Sequence, residues 1–327
     1  MDEFDIRKRI NEILNNLLIF SIVLISSVLI AVRVFGQDND YQNYLYFWDN
    51  MTPGFSDSES RFEIVFVLLA ELFKYIFHSS FTVFLFFIAF TSLSVKFHLF
   101  GKNKDFYFIA LMYLLSMALF HEMTQIRAAL AIALAFTAIY LRAKKQFTAA
   151  FVIFLISCFS HYSMLFLAII FFPPHRWLEK GILSDKRLII FGLLASFALG
   201  TTVSIMAQII PMLRLYAERA DIESFNFFSV RVVAVMPVLV FGFLSYRSFS
   251  SFEKRCYILS FVGLLLTPAT SIIPTLASRL YELSFVGYFF WLPGIRRYKL
   301  LSYTFFALVC VYLFMRNVFI SPIFNLA

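Results

Sequence analysis

Apolar runs at roughly residues 13–35, 80–100, 105–121, 124–142, 147–171, 187–210, 231–247, 256–275, 279–293 and 301–320 follow one another along the 327-residue chain, joined mostly by short connections. A helix needs about 20 apolar residues to cross the hydrocarbon core of a bilayer, where every backbone amide must be bonded within its own segment. Runs of this length leave room for little besides membrane-spanning helices. Composition agrees, with 61% hydrophobic and 15% charged residues against roughly 45–50% and 25% in soluble domains. The sequence therefore predicts an all-α, polytopic integral membrane protein. It reads as a single transmembrane domain over residues 1–327, with about 9–11 transmembrane helices, some of them re-entrant or broken.

A net charge of +8 would suggest nucleic acid in a soluble chain. Here the cations sit between the apolar runs, as Arg7-Lys8-Arg9, Lys102 and Lys104, Arg142 with Lys144 and Lys145, Arg176 with Lys180, Lys186 and Arg187, Lys254-Arg255, and Arg296-Arg297 with Lys299. They read as cytoplasmic topology signals, and no nucleic-acid partner is expected. The outer face then receives two long loops, about 36–61 and 211–230, and the turn His121 to Gln125. Phe62 to Phe77, with Glu63, Glu71 and Lys74, is short and polar for a span and reads as a re-entrant or interfacial helix. Residues 147–171 would have to start and end inside, which about 25 residues cannot do in two crossings at 1.5 Å each. Either this segment is broken near Ser160-His161, or the 176–187 cluster departs from the positive-inside rule. The first apolar run is too long for a signal-peptide core and reads as an uncleaved span. Cys158, Cys256 and Cys310 lack metal or redox spacing and read as core filler.

Function is sought where polar groups interrupt apolar segments. A guanidinium at membrane depth costs at least about 2.5–3.5 kcal/mol, yet Arg127 heads an alanine-rich run containing Ala128, Ala129, Ala131, Ala133, Ala135 and Ala138. Small residues let helices approach closely, and a rigidly held guanidinium offers a fork of donors to a phosphate. His161, flanked by Ser160, Tyr162 and Ser163, is a candidate general base. Arg279 follows a segment broken by Pro268 and Pro274, which reads as a discontinuous helix opening onto a polar cavity. The plainer readings are a carbonyl-bonded arginine, an interhelical histidine hydrogen bond, and a local Arg279–Glu282 pair. In the loop from Gly36 to Asp49, carboxylates and amides interleave with five aromatics, which suits sugar rings as well as it suits an interfacial aromatic belt. The stretch Arg214 to Asp221 reads most simply as a solvated charged face. No glycine-rich phosphate loop, metal-ligand cluster or nucleophile elbow is present, so no cofactor and no metal are expected.

The acidic-tyrosine loop after the first run, Glu63, Gln125-Ile126-Arg127-Ala128-Ala129-Leu130-Ala131, Phe159-Ser160-His161-Tyr162-Ser163 and Ser278-Arg279-Leu280-Tyr281-Glu282, taken in this order, resemble the EpsG family. That family groups with Wzy-type polymerases of bacterial O-antigen, capsule and exopolysaccharide. Ala128 and Ala129 stand where the family usually has Gln and Gly, which leaves Arg127 in place. The resemblance implies a multi-pass protein of the bacterial inner membrane whose site faces the periplasm or exterior. Its donor and acceptor would be undecaprenyl-diphosphate-linked repeat units, within membrane lipid and with a chain-length regulator as a further partner. It implies Arg127 and Arg279 on the diphosphate, with Arg214 or Arg219 as further cations, and His161 as the base or acceptor-orienting group backed by Asp40, Glu63 and Glu122. Asp38, Asp40, Tyr41, Tyr44, Gln125, Tyr281 and Glu282 are the accompanying substrate-binding candidates. A transporter or flippase of lipid-linked oligosaccharide and an O-antigen ligase are the rival readings.

Overall fold

The computed structural model describes residues 3–54, 62–101, 104–174, 201–202, 205, 229–271, 273–320 and 322–324. Arg214, Arg219, residues 211–228 of the expected outer loop and the 176–187 basic cluster lie outside the described residues. The elements are α1 (Glu3–Ala31), α2 (Asn39–Asn50), α3 (Ile64–Glu71), α4 (Phe81–Phe100), α5 (Phe106–Ala118), α6 (Ile126–Ala143), α7 (Phe147–Ser160), α8 (Ala168–Phe171), α9 (Val230–Val233), α10 (Met236–Ser245), α11 (Ser251–Ala269), α12 (Pro274–Trp291) and α13 (Lys299–Met315). No β-strand occurs among the described residues. Six helical stretches there are long and apolar enough to cross a membrane: Arg9–Ala31, Phe81–Phe100, Phe106–Thr124, Ile126–Ala143, Val230–Ser248 and Lys299–Ile320. The protein is thus an all-α, multi-pass membrane protein. Its contacts divide it into two compact units, one of residues 1–138, 147–164 and 314–327, the other of 139–146 and 165–313.

In the first unit α1 packs against α4, and the aromatic-rich segment after α1 winds into helix α2 where a loop was expected. The reason is local. Asp38 caps the helix by accepting a 3.0 Å bond from the Tyr41 amide, and Tyr41, Tyr44 and Trp48 recur at helical spacing on the face packed into the core. Its C-terminal carbonyls are gathered by the Lys74 ammonium, which donates to Trp48 and Asp49, and by the Tyr75 hydroxyl, which donates to Met51. Lys74 and Tyr75 lie in a π-helical turn, Leu72–Ile76, that continues α3. The alanine stripe of α6 is buried throughout, as small-residue packing requires. Between α7 and α8 the chain breaks at His161 and continues as a 3₁₀ turn over Tyr162–Leu167, so the expected break near Ser160-His161 is present.

In the second unit the prolines do something simpler than was expected. The segment read as a discontinuous helix opening onto a cavity is the turn of a hairpin: α11 ends just past Pro268, and Pro274 opens α12 in its first turn. The helices run antiparallel, because Gly263 faces Leu280 and Ser284 while Gly287 faces Cys256 and Ser260. Ser260 and Ser284 exchange bonds to each other's carbonyls at 2.8 and 2.6 Å. Arg255, read as a cytoplasmic loop charge, is fully buried and donates to the carbonyls of Ile170, Phe171 and Pro173, which satisfies the open end of α8. A Cβ on Gly263 would come 2.8 Å from the Ser284 Cβ. Gly263→Val should therefore destabilise the hairpin by about 1–3 kcal/mol and lower the melting temperature of detergent-solubilised protein by several degrees. An unchanged melting curve would mean that α11 and α12 do not approach this closely.

Candidate functional site

Three chain segments of the first unit converge on the Glu63 carboxylate. Glu63 immediately precedes α3 and is almost completely buried, yet its side chain does not cap its own helix. It reaches instead to Arg127, in the first turn of α6, and to His161, at the break after α7. Arg127 Nη1 donates to Glu63 Oε2, and His161 Nδ1 lies 2.6 Å from Oε1. The break at His161 is held by its own backbone, whose amide donates to Ser157 at 3.0 Å while its carbonyl accepts from Met164 at 3.0 Å. Arg127 is fixed further by its Nε, which donates to the Tyr44 hydroxyl at 3.3 Å. Its guanidinium lies over Phe62, 4.9 Å from the ring centroid.

Charge settles the proton positions. Burial alone would raise the Glu63 carboxyl, but the His161 hydrogen bond and the Arg127 charge outweigh it and hold the group below the usual glutamate value. An ionised carboxylate only accepts, so the hydrogen of the short contact is on His161 Nδ1. In the neutral ring Nε2 then carries the lone pair. Among the described residues neither His161 Nε2 nor Arg127 Nη2 has a protein hydrogen-bond partner. The side chains of Arg127 and His161 keep 23% and 17% of their surface exposed, against 6% for Glu63. The site thus presents one basic nitrogen and one cationic donor group, both oriented by a single buried carboxylate. No group of three or more possible metal ligands occurs among the described residues.

The other candidates separate from this cluster. Glu122 was expected on an exposed outer turn, but it is buried in a π-helical turn, Leu119–Thr124, against Lys96 at 2.5 Å, Tyr113 at 2.9 Å and Ser92 at 3.1 Å. An apolar enclosure would strand a lone carboxylate, and Lys96 answers its charge. With its oxygens engaged there, Glu122 is not offered to a substrate. Asp38 is likewise committed, capping α2 and pairing with Arg33 at 3.3 Å. Asp40 stands half-buried in the first turn of α2, where a negative charge suits the helix N-terminus. Tyr44 is buried among Phe62 and Phe66 and cannot lay its ring on a sugar; its hydroxyl, meeting Arg127, is what it brings to the site. Tyr41 has the Arg33 guanidinium over its ring and packs at a tilt against Phe81. Gln125 ends the π-helical turn one residue before α6.

In the second unit Arg279 and Glu282 form the local pair at 3.1 Å expected from their spacing. Tyr281 is buried and donates to the Arg231 carbonyl at 2.9 Å. Sequence reasoning missed Lys96, Arg33 and Phe62. The signal for Lys96 was present, since a lysine inside the apolar run Phe81–Phe100 is as costly as Arg127 in the run 124–142.

The EpsG family model matches residues 16–326 of the chain. No curated protein and no solved structure matches it.

Proposed function

Since the chain belongs to the EpsG family, a family of membrane polysaccharide polymerases, we propose that it joins undecaprenyl-diphosphate-linked oligosaccharide repeat units at the outer face of the bacterial inner membrane. The acceptor is the hydroxyl at the non-reducing end of one lipid-linked unit. Its oxygen attacks the anomeric carbon at the reducing end of the growing chain. The bond from that carbon to the diphosphate breaks, and undecaprenyl diphosphate leaves with the electron pair. The glycosyl-diphosphate bond supplies the energy, which suits a sequence without a nucleotide-binding motif.

The observation that carries this reading is the arrangement around Glu63. His161 Nε2 takes the acceptor proton, and Glu63 holds Nδ1–H so that the ring is in the tautomer the task needs and its positive charge is met as it forms. Arg127, fixed by Glu63 and Tyr44, directs Nη2 to the oxygens of the leaving diphosphate. Pro53, Val65, Leu68 and Leu72 line an open groove of about 580 Å³ beside α3, the helix that Glu63 opens. It offers an apolar surface to a polyprenyl chain.

The purified protein, given only its own undecaprenyl-diphosphate repeat unit in liposomes, is expected to produce oligomers and release undecaprenyl diphosphate without ATP or sugar nucleotide. Separation of the products by length reads the result. Transfer of the intact unit between leaflets with its length unchanged would replace this reading with a flippase. Transfer to a lipid acceptor without any ladder would make it a ligase.

A further inference from the structure

We propose that the buried Lys96–Glu122 pair is a positioning device that sets where Arg127 stands relative to Glu63. The role of Arg127 in the reaction rests on the function proposed above; its placement does not.

The π-helical turn Leu119–Thr124 leads into α6, and Arg127 lies three residues past its end. That turn is held from two directions at consecutive residues. At Glu122, Oε1 accepts from the Lys96 ammonium at 2.5 Å, the Tyr113 hydroxyl lies 2.9 and 3.1 Å from the two carboxylate oxygens, and the Ser92 hydroxyl lies 3.1 Å from Oε1. The same Ser92 hydroxyl is 2.9 Å from the carbonyl of Ala129, two residues beyond Arg127. One hydroxyl of α4 therefore touches both the turn and the helix it launches. At Met123, the carbonyl accepts from the Arg33 guanidinium. Arg33 also pairs with Asp38, which caps α2, and α2 carries the Tyr44 hydroxyl that receives Arg127 Nε. The polar contacts thus run from Lys96 through the turn to Arg33, Asp38 and α2, and return to the Arg127 guanidinium from its other side.

Energetics favour position over stability as the role of the pair. Lys96 and Glu122 both have fully buried side chains. Removing two charges from water offsets most of their attraction, so a buried pair adds little net stability compared with apolar residues of similar volume. What it does supply is direction. A carboxylate meeting an ammonium and two hydroxyls has few alternative geometries, whereas apolar packing would let the turn slide or rewind as ordinary α-helix. A slip of one residue there would rotate Arg127 by about 100° on α6 and remove it from Glu63.

The test neutralises the pair without stranding a charge, as Lys96→Met with Glu122→Gln. In a chain whose native cysteines are replaced, cysteines placed at positions 63 and 127 are joined by a short thiol-to-thiol reagent, a readout independent of what the protein catalyses. The neutral pair is expected to lower the yield of the 63–127 cross-link at least fivefold, with the melting temperature of the purified protein little changed. In the chain with Glu63 and Arg127 intact, polymer formation per folded molecule should fall at least tenfold. That loss should largely vanish when the neutral pair is compared in an Arg127→Lys background, because the two changes act through the same group. If the neutral pair does not accumulate, Tyr113→Phe removes one contact to Glu122 while keeping both charges, and it should lower the cross-link yield in the same direction. An unchanged yield in the variant measured, or a loss of polymer that adds fully to that of Arg127→Lys, overturns the proposal. A lower yield in a protein that makes no polymer even as wild type would uphold the positioning role and sink the function instead.

Discussion

Glu63→Gln and His161→Ala are each expected to slow repeat-unit joining by about two to four orders of magnitude, the range spanned by loss of a positioned general base. The two changes fail differently. Alanine at 161 removes the proton acceptor of the proposed reaction. Glutamine at 63 keeps the shape, but its amide can donate to Nδ1 and favour the tautomer with hydrogen on Nε2, so the ring faces the acceptor with the wrong nitrogen. Combining them should cost little more than either alone, because both disable one proton transfer. Initial rates of oligomer formation by the reconstituted variants, normalised to folded protein, check this. A Glu63→Gln protein with near-normal rates would reduce the carboxylate to a structural partner of Arg127 and move the base elsewhere.

Arg127→Lys is the second large effect, a loss of about two orders of magnitude or more with normal protein abundance. An ammonium keeps the charge but has one nitrogen where the guanidinium has three. In this site Nε goes to Tyr44 and Nη1 to Glu63, and in the proposed reaction Nη2 is the nitrogen left for the diphosphate. Lysine can meet Glu63 or the substrate, but it cannot hold that division of labour. Saturation with substrate separates the roles: a defect confined to KM would make Arg127 a binding group, and one in kcat places it on the leaving group in the transition state. The Glu63 carboxyl is held below its ordinary value of 4.5. Its pairing therefore contributes stability that is fully present above that value and is lost only as pH falls through the depressed one. Loss of activity between neutrality and pH 5 should accordingly not be traced to Glu63.

The spans were legible because a long apolar run carries its own explanation. The run at 80–100 is helix Phe81–Phe100, that at 124–142 is Ile126–Ala143, and that at 301–320 falls within the helical stretch Lys299–Ile320. Of the site, the types of residue were legible and the partnerships were not. Arg127 and His161 announce themselves as polar groups in apolar surroundings, but Glu63 meets them across 64 and 98 residues, and no local periodicity encodes such a pairing. Glu122 was misplaced for the same reason: its partner Lys96 is 26 residues earlier, and without it a carboxylate beside a turn looks exposed. Helix α2 was the avoidable error. Asp38 followed by apolar Tyr41, Tyr44, Leu45 and Trp48 is a cap and a helical face, hidden by a composition polar enough to pass for a loop.

A single carboxylate shared between two cations makes its neighbours rivals. Any anion that draws Arg127 toward itself leaves Glu63 more fully to His161, and an imidazole with an undivided carboxylate behind it holds a proton more firmly. In the proposed reaction, filling the anion side at Nη2 favours the arrival of the acceptor proton at Nε2, and that proton in turn favours the anion, with Nη1 still on Glu63. By reciprocity the two affinities change by the same factor. The two halves of a bimolecular reaction would then be sensed together at one residue, so that a lone acceptor or a lone donor leaves the site at rest.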